Sequence, residues 1–192
     1  MGKGVLPNLI IPGAMKAGTS TLHYLLNEHP NIVMSKPKEP GFFRSNSSMS
    51  LDEYKDCFSE HNGEEVVGES SVFYMTDEEP IQKIKNMISH VKIVFLIRNP
   101  IERAYSHYYF HVWHGLETPT LSFSDLIKSN KNLKREIISF GRYEDYIPLY
   151  EKAFGTENVK VVTSHKFKKD TDSVLQDIFS FVDADIAFKT KI

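Results

Sequence analysis

The sequence has one cysteine, no long apolar run and almost no net charge, and each of these features excludes a class of protein. Cys57 is the single cysteine, so the chain cannot form an internal disulfide and is compatible with a reducing compartment. No stretch approaches the roughly 18 consecutive apolar residues that indicate a membrane span, and the first residues lack the order of a signal peptide. We therefore expect a cytoplasmic protein without a membrane partner.

The net charge of −2 over 192 residues gives no general attraction for nucleic acids. We expect no nucleic-acid partner, and any anion site must be local. The composition, with 41% hydrophobic and 25% charged residues, is that of an ordinary globular protein. The length is typical of one domain, which we expect to occupy residues 1–192.

Short apolar runs alternate with segments of helical periodicity along the chain. The runs predict buried strands at residues 8–11, 31–34, 65–68, 91–97 and 159–163. Helices are predicted after the first run and at residues 77–89, 100–113, 122–130, 143–150 and 175–182, and loops at 35–50 and 114–122. This alternation predicts an α/β fold, a three-layer α/β/α sandwich around a mainly parallel sheet of about five strands. In such sheets ligands bind at the carboxyl ends of the strands.

The segment 9–21 combines a buried strand, a glycine-bounded loop and the start of a helix. Gly13 and Gly18 have the spacing of a phosphate-binding loop, G-x-x-x-x-G-K-[ST]. Here, however, Thr19 follows the second glycine, and the lysine, Lys16, comes two residues before it. Free N–H groups, the positive end of a helix dipole and a lysine still form an anion site. The displaced lysine distinguishes this loop from those that bind nucleoside triphosphates.

A second polar cluster follows the densest apolar run. Arg98 ends that run, and the Asn-Pro pair after it is suited to begin a helix. Ser106 then lies about 9 Å further along the helix axis, at roughly 1.5 Å per residue. An arginine and a hydroxyl so placed can converge on one phosphate. The alternative interpretation is an ordinary ion pair of Arg98 with Glu102 or Asp145.

In this order and spacing, the two motifs resemble those of the sulfotransferases that use 3′-phosphoadenosine 5′-phosphosulfate (PAPS). The Lys-x-Gly-Thr-Ser loop resembles the 5′-phosphosulfate loop of that family, and Arg-x7-Ser resembles its 3′-phosphate site. The run Leu-Ile-Arg-Asn-Pro-x-x-Arg-Ala-Tyr-Ser is close to the carbohydrate branch, which includes heparan sulfate N- and O-sulfotransferases and bacterial or viral relatives. Three further segments agree, namely 38–43, 68–74 and 141–143.

The resemblance implies a P-loop fold and a role for each residue of the two motifs. Lys16 would contact the bridging oxygen and the transferring sulfuryl group, and Arg98 and Ser106 would hold the 3′-phosphate. N–H and hydroxyl groups of the first loop would bind the 5′-phosphate. The implied donor-binding residues are Lys16, Ala17, Gly18, Thr19, Ser20, Thr21, Arg98 and Ser106. Because the 5′-phosphosulfate group carries fewer charges than a triphosphate, the resemblance implies transfer without a metal ion.

The resemblance also implies a catalytic base, Glu39, which precedes a pair of phenylalanines as in the carbohydrate branch. Two lysines just before Glu39 favour its ionised form. Glu69, His107 and His111 are the alternative bases. We find no metal-site context in the sequence for His107, His111 and His114, and we expect structural or acceptor-contacting roles for them.

Two further groups receive structural interpretations. The aromatic residues of segment 105–113 are expected to form core and helix-packing surface, and the lysines of segment 166–169 a solvated face. Ser70 and Gly41 depart from the carbohydrate branch, in which lysine and histidine are frequent at these positions. Relatives also often continue with a basic segment that covers the donor, and a homo-oligomer is one way to supply that cover.

We interpret the chain as a PAPS-dependent sulfotransferase that acts on a hydroxyl or amine of a carbohydrate or similar metabolite. Two other functions stay open from the sequence. One is a small kinase that uses ATP and Mg²⁺, against which the displaced lysine argues. The other is a non-catalytic binding protein that keeps the sulfotransferase fold.

Overall fold

A computed structural model describes residues 4–115, 122–129 and 132–190. Its five strands form one sheet in the order β2-β3-β1-β4-β5, and all four pairings are parallel. The strands are β1 (Leu9–Gly13), β2 (Ile32–Met34), β3 (Val66–Ser70), β4 (Lys92–Ile97) and β5 (Val159–Thr163). Each predicted strand is confirmed to within two residues at either end.

Helices cover the sheet, and the predicted α/β/α sandwich is confirmed. They are α1 (Thr19–Leu26), α2 (Leu51–Asp56), α3 (Glu79–Met87), α4 (Pro100–Trp113), α5 (Phe123–Lys128), α6 (Asn132–Ser139), α7 (Tyr143–Phe154), α8 (Ser164–Lys169) and α9 (Thr171–Phe181), with short 3-10 helices at Val72–Thr76 and Thr156–Asn158. Helices α2, α6 and α8 were not predicted from the sequence. The predicted loop at 114–122 lies mostly outside the described residues. None of the described helices is both long enough and apolar enough to cross a membrane.

Strands β1, β2 and β3 are buried throughout because helices cover both faces of the sheet, whereas the edge strand β5 is exposed at Val161. Leu9, Ile10 and Ile11 of the central strand have no exposed surface. A second, smaller core lies under α4, α5 and α6, around Tyr108 and Ile137. This second core fixes α6 against α4.

The strand order places the ends of β1 and β4 side by side. Strands β2 and β3 lie on one side of β1, and strands β4 and β5 lie on its other side. The Ala14 N–H donates to the carbonyl of Leu96 at 2.7 Å, which joins the two carboxyl ends. Ligands of open parallel sheets bind where the strand order reverses in this way.

Candidate functional site

The loop between β1 and α1 presents backbone N–H groups at the start of a helix. Gly18 caps the helix with φ of 108°, a left-handed conformation that favours glycine. The first helical hydrogen bond runs from Leu22 N–H to the Gly18 carbonyl at 3.1 Å. The N–H groups of the turn before Leu22 therefore have no partner within the helix. They lie at the positive end of its dipole, which favours an anion.

Arg98 follows β4 and faces the same loop. Its Nη1 donates to the Lys16 carbonyl at 3.5 Å, and its Nε pairs with Glu102 at 3.1 Å. The Glu102 pairing that the sequence left open is therefore present, whereas Asp145 pairs with Arg142 at 2.7 Å. Because the Glu102 side chain is 62% exposed, this pair adds little stability and can rearrange around a ligand.

Helix α4 begins as the sequence predicts. The Asn99 side chain accepts hydrogen bonds from the N–H groups of Ile101 and Glu102, at 3.0 and 3.3 Å, and Pro100 occupies the first helical position. This start directs α4 away from the end of β4 and places Ser106 along the wall of the site.

Both motifs line one cavity of about 380 Å³ at the carboxyl ends of the strands. The lining residues are Met15, Lys16, Ala17, Gly18, Thr19, Ser20, Glu39, Val72, Arg98, Ser106, Phe110, Ser164 and Lys168. Of the nine residues singled out in the sequence, the cavity therefore brings together all but Thr21. Thr21 lies in the first turn of α1 with its side chain exposed, outside this lining.

A second cavity, of about 550 Å³, lies at the opposite edge of the sheet, where Asn8 and Lys92 mark the amino ends of β1 and β4. Neither the loop after β1 nor Arg98 lines it. Its lining includes Lys85 and Lys92, but not the free N–H groups at the start of α1. Because ligands of such sheets bind at the carboxyl ends of the strands, we assign the site to the smaller cavity.

Lys16 lies at the wall of the site with an unusual backbone conformation and an aromatic ring beside its side chain. Its φ of 66° is in the left-handed region, which few residues other than glycine adopt. Its ammonium lies 4.4 Å from the centroid of the Phe110 ring, within cation–π distance. Burial, and then the charge of Arg98, lower the pKa of Lys16. Two cations that face one cavity are best neutralised by a bound anion.

Several residues that line the cavity were not predicted from the sequence as site residues. Lys168 belongs to the run expected to be solvated, yet it lines the cavity, whereas Lys166 pairs with Asp177 at 2.9 Å. Ser164 and Phe110 also line it. The position of the lysine run directly after the last strand was the available signal, because that end of a strand lies at the ligand edge of the sheet.

The aromatic cluster of α4 lies partly in the core and partly on the surface of the protein. Tyr108 is buried, but Trp113 is 82% exposed, and Tyr105 and Tyr109 are exposed too. The three exposed residues recur every four positions and share one face of the helix, opposite the buried face that carries His107. Helical geometry thus separates the cluster into core and surface.

Glu39 lines the cavity beside a lysine. Its carboxylate lies 2.5 Å from Nζ of Lys38, and its side chain is 39% exposed. The other lysine of the segment, Lys36, pairs instead with Glu60 at 2.6 Å on the surface. Of the two lysines that precede Glu39 in the sequence, Lys38 alone therefore supplies a neighbouring charge.

Glu69 is completely buried and holds the Glu39 loop in place. It accepts hydrogen bonds from Tyr54 at 2.6 Å, Ser71 at 2.6 Å and Tyr74 at 3.1 Å. Two of these hydroxyls in turn accept the N–H groups of the loop, Ser71 from Gly41 and Tyr74 from Phe43, each at 3.1 Å. Burial raises the pKa of Glu69 to about 7, although its three hydroxyl partners favour the ionised form. This carboxyl therefore positions the loop and does not line the cavity.

The two positions that depart from the carbohydrate branch are part of the same framework. Ser70 is buried, and its hydroxyl lies 3.0 Å from Nδ1 of His23. Burial, followed by the charge of Lys38, lowers the pKa of His23 to about 4. Gly41 has φ of 69° and turns the chain between Glu39 and the buried phenylalanine.

The remaining candidate bases lie behind the wall of the cavity. His107 and His111 are buried on α4, and their Nε2 atoms are 3.2 Å apart. Burial, Arg103 and other neighbouring cations lower the pKa of His107 to about 3. His114 bonds the carbonyl of Phe110 at 2.8 Å. Within the described part of the chain, Glu39 is the one candidate base that lines the cavity.

A family model described as a sulfotransferase domain matches residues 6–190. The chain belongs to the sulfotransferase domain family. This membership confirms the family that the two motifs indicated, and the five-stranded parallel sheet agrees with it.

Named relatives of this sulfotransferase domain include two eukaryotic proteins. The membrane-associated sulfotransferase kil1 of Dictyostelium discoideum is 31% identical over 124 residues, which are 62% of this chain and 26% of the relative. The bifunctional heparan sulfate N-deacetylase/N-sulfotransferase 1 of Caenorhabditis elegans is 27% identical over 206 residues, covering 99% of this chain and 24% of the relative. The sulfotransferase domain thus spans about a quarter of the length of these curated relatives.

Solved sulfotransferases have the same fold. The crystal structure of a sulfotransferase from Alicyclobacillus acidocaldarius superposes with a TM-score of 0.88 at 29% identity, covering 97% of this chain and 85% of that one. Mouse sulfotransferase SULT7A1, solved in complex with PAP, superposes with a TM-score of 0.57 at 18% identity, covering 92% of this chain and 58% of that one.

Proposed function

We propose that this sulfotransferase domain moves a sulfuryl group from PAPS to a hydroxyl or amine of a carbohydrate or similar metabolite. The observation that carries the proposal is the shared cavity, in which the loop after β1 meets Arg98 and Ser106. Its volume of about 380 Å³ falls within the range typical of small-molecule sites. The names of the heparan sulfate N-sulfotransferase relatives support a carbohydrate acceptor.

The donor would bind with one phosphate at each motif. The N–H groups at the start of α1 and the Thr19 and Ser20 hydroxyls would hold the 5′-phosphate, and Arg98 and Ser106 the 3′-phosphate. Lys16 would then lie beside the bond that breaks, where negative charge develops on the leaving oxygen. Sulfuryl transfer, like phosphoryl transfer, should depend mainly on positioning and electrostatic stabilisation. Lys16 and Arg98 would supply this charge without a metal ion in the cavity.

Glu39 would take the proton of the acceptor as its oxygen or nitrogen attacks the sulfur. Its carboxylate faces the cavity, whereas Glu69, His107 and His111 are buried outside the lining. The Lys38 ammonium lies 2.5 Å from this carboxylate. The loop framework under Glu39 would fix the distance between the base and Lys16.

Ligand-dependent thermal unfolding of the chain tests the donor. We expect adenosine 3′,5′-bisphosphate (PAP) to raise the melting temperature without metal, and ATP with Mg²⁺ to raise it much less. Arg98→Ala should weaken PAP binding roughly 10- to 100-fold, since a hydrogen bond to a charged group contributes about 1.5–3 kcal/mol. Binding of 5′-AMP, which lacks the 3′-phosphate, should change little. Arg142→Ala is the control, because Arg142 pairs with Asp145 outside the lining of the cavity.

Preferential stabilisation by ATP with Mg²⁺ would favour the kinase and contradict the proposal. Binding of PAP without turnover of labelled PAPS across a panel of sugars and amino sugars would instead favour a non-catalytic binding protein. Added Mg²⁺ should leave any turnover unchanged.

A further inference from the structure

Three potential metal ligands meet where α6 packs on α4. His107 and His111 lie one turn apart on α4, and Glu136 reaches them from α6. Their ligand atoms form a triangle: the two Nε2 atoms are 3.2 Å apart, and Oε1 of Glu136 lies 3.6 Å from the first and 3.5 Å from the second. Nothing in the donor cavity requires this arrangement, because none of the three residues lines it.

The triangle has the dimensions of one face of a tetrahedral metal site. With bonds of about 2.0–2.2 Å to zinc, neighbouring ligand atoms of a tetrahedron are about 3.3–3.6 Å apart. Two imidazoles and one carboxylate are typical zinc ligands, whereas Mg²⁺ and Ca²⁺ prefer oxygen alone. We propose that His107, His111 and Glu136 bind a divalent transition-metal ion, with Zn²⁺ the best fit and a water molecule in the fourth position.

The surroundings hold the three side chains in place. The small core around Tyr108 and Ile137 packs α6 on α4 and keeps Glu136 within reach. The His107 side chain is fully buried and that of His111 is 11% exposed, while Glu136 is 43% exposed. Solvent can therefore deliver an ion past Glu136. Both histidines must bind as neutral rings, because the ion takes the lone pair of an unprotonated ring nitrogen.

Arg103 opposes metal binding by His107, and its substitution therefore gives a more specific test of the site. Its Nη1 lies 3.2 Å from Nδ1 of His107, and a guanidinium can only donate. The His107 proton is therefore on Nε2 when no metal is bound. For the ring to bind an ion there as a neutral ligand, that proton must leave to solvent and Nδ1 must take one up, so Arg103 has to release Nδ1. Replacing Arg103 by methionine frees Nδ1 to carry the proton, as it does in ordinary metal-bound histidines. Arg103→Met should therefore bind the metal more tightly than wild type.

A metal at this position would join α6 to the helix that carries Ser106 and Phe110. It would act as a structural tie behind the cavity wall and take no part in the transfer step. The inference stands on the α4–α6 contact alone and does not depend on the proposed function.

The test is a titration of the full chain, stripped with a chelator, with Co²⁺ and then Zn²⁺. We expect about one equivalent of Co²⁺ to give the intense visible absorption of a tetrahedral site, Zn²⁺ to abolish it by displacement, and Zn²⁺ to raise the melting temperature. His111→Ala and Glu136→Gln should lose the absorption. His114→Ala is the matched control on the same helix and should keep it.

Two results would overturn the proposal. One is the absence of tetrahedral absorption in the wild-type chain. The other is equal Co²⁺ binding by wild type and Glu136→Gln, which would place the ion on exposed histidines elsewhere. Glu136 is partly exposed, so its substitution should leave the fold intact, and a melting curve of each variant in the chelator verifies this.

Discussion

The Tyr143 hydroxyl bonds the backbone of Arg98 on both sides of that residue. It donates to the Arg98 carbonyl at 2.8 Å and accepts from the Arg98 N–H at 3.3 Å. Tyr143 is the first residue of α7 and completes the Gly-Arg-Tyr segment that supported the family resemblance. Since Arg98 has left the sheet, this hydroxyl replaces the strand partner that its backbone would otherwise lack. Tyr143 thereby fixes the backbone position from which the Arg98 side chain extends toward the cavity.

Tyr143→Phe should weaken PAP binding by roughly 3- to 10-fold, because a net hydrogen bond contributes about 0.5–1.5 kcal/mol. Isothermal titration with PAP measures this loss. Tyr146→Phe, on the same helix, is the control and should bind PAP as wild type does. Unchanged affinity in Tyr143→Phe, together with a clear loss in Arg98→Ala, would show that the arginine does not need this support.

Lys16 and Lys168 both line the cavity, and their substitutions should separate transition-state from ground-state effects. Lys16→Ala should lower kcat roughly 10²- to 10³-fold, the usual effect of removing a group that stabilises developing charge. Lys168→Ala should weaken PAPS binding with little change in kcat. Steady-state kinetics with saturating acceptor measures both parameters. A similar fall in kcat for the two variants would argue against a special role for Lys16.

Glu39→Gln should reduce kcat roughly 10²- to 10⁴-fold by removing the base, while PAP still binds. Glu60→Gln is a matched control, because Glu60 also pairs with a lysine of the same segment but lies outside the lining of the cavity. Assays with labelled PAPS compare the two. If Glu39→Gln kept wild-type turnover, the base would have to be sought on the acceptor itself or in another side chain.

Glu69 should make the stability of the protein depend on pH. Its native pKa is raised to about 7 from an ordinary value of 4.5, so between these values the native state binds one more proton than the unfolded state. The free energy of unfolding should therefore fall as pH rises from about 4.5 to 7, by at most about 1.4 kcal/mol per pH unit, and then level off.

Urea denaturation of wild type and Glu69→Gln across this range isolates the effect. The difference between them is needed because His23 and His107, whose pKa values are lowered, titrate in the opposite sense. The wild type should lose stability relative to the variant as pH rises. A difference that stays constant with pH would show that the carboxyl titrates near its ordinary value.

Much of the fold and most of the candidate site could be predicted from local sequence. Strands β1, β2 and β4 can be recognised as apolar runs, because their burial leaves little polar alternation. The Gly13–Gly18 loop and the Asn-Pro start of α4 depend only on residues that are close together in the sequence. Both can therefore be recognised without knowledge of the fold. The parallel sheet then has to bring the carboxyl ends of β1 and β4 to one edge. Lys16, Arg98 and Ser106 could therefore be assigned to one site from the sequence.

Other features were decided only by tertiary structure, because they depend on contacts between segments distant in the chain. The sequence shows Glu69 and Glu39 as two similar acidic candidates, and only packing buries the first under three hydroxyls and leaves the second at the cavity. Likewise, nothing near His107 and His111 in the sequence indicates Glu136, which α6 brings within 3.6 Å. Local patterns thus determined the backbone and its anion site, whereas burial and long-range contacts decided which ionisable groups face solvent, ligand or one another.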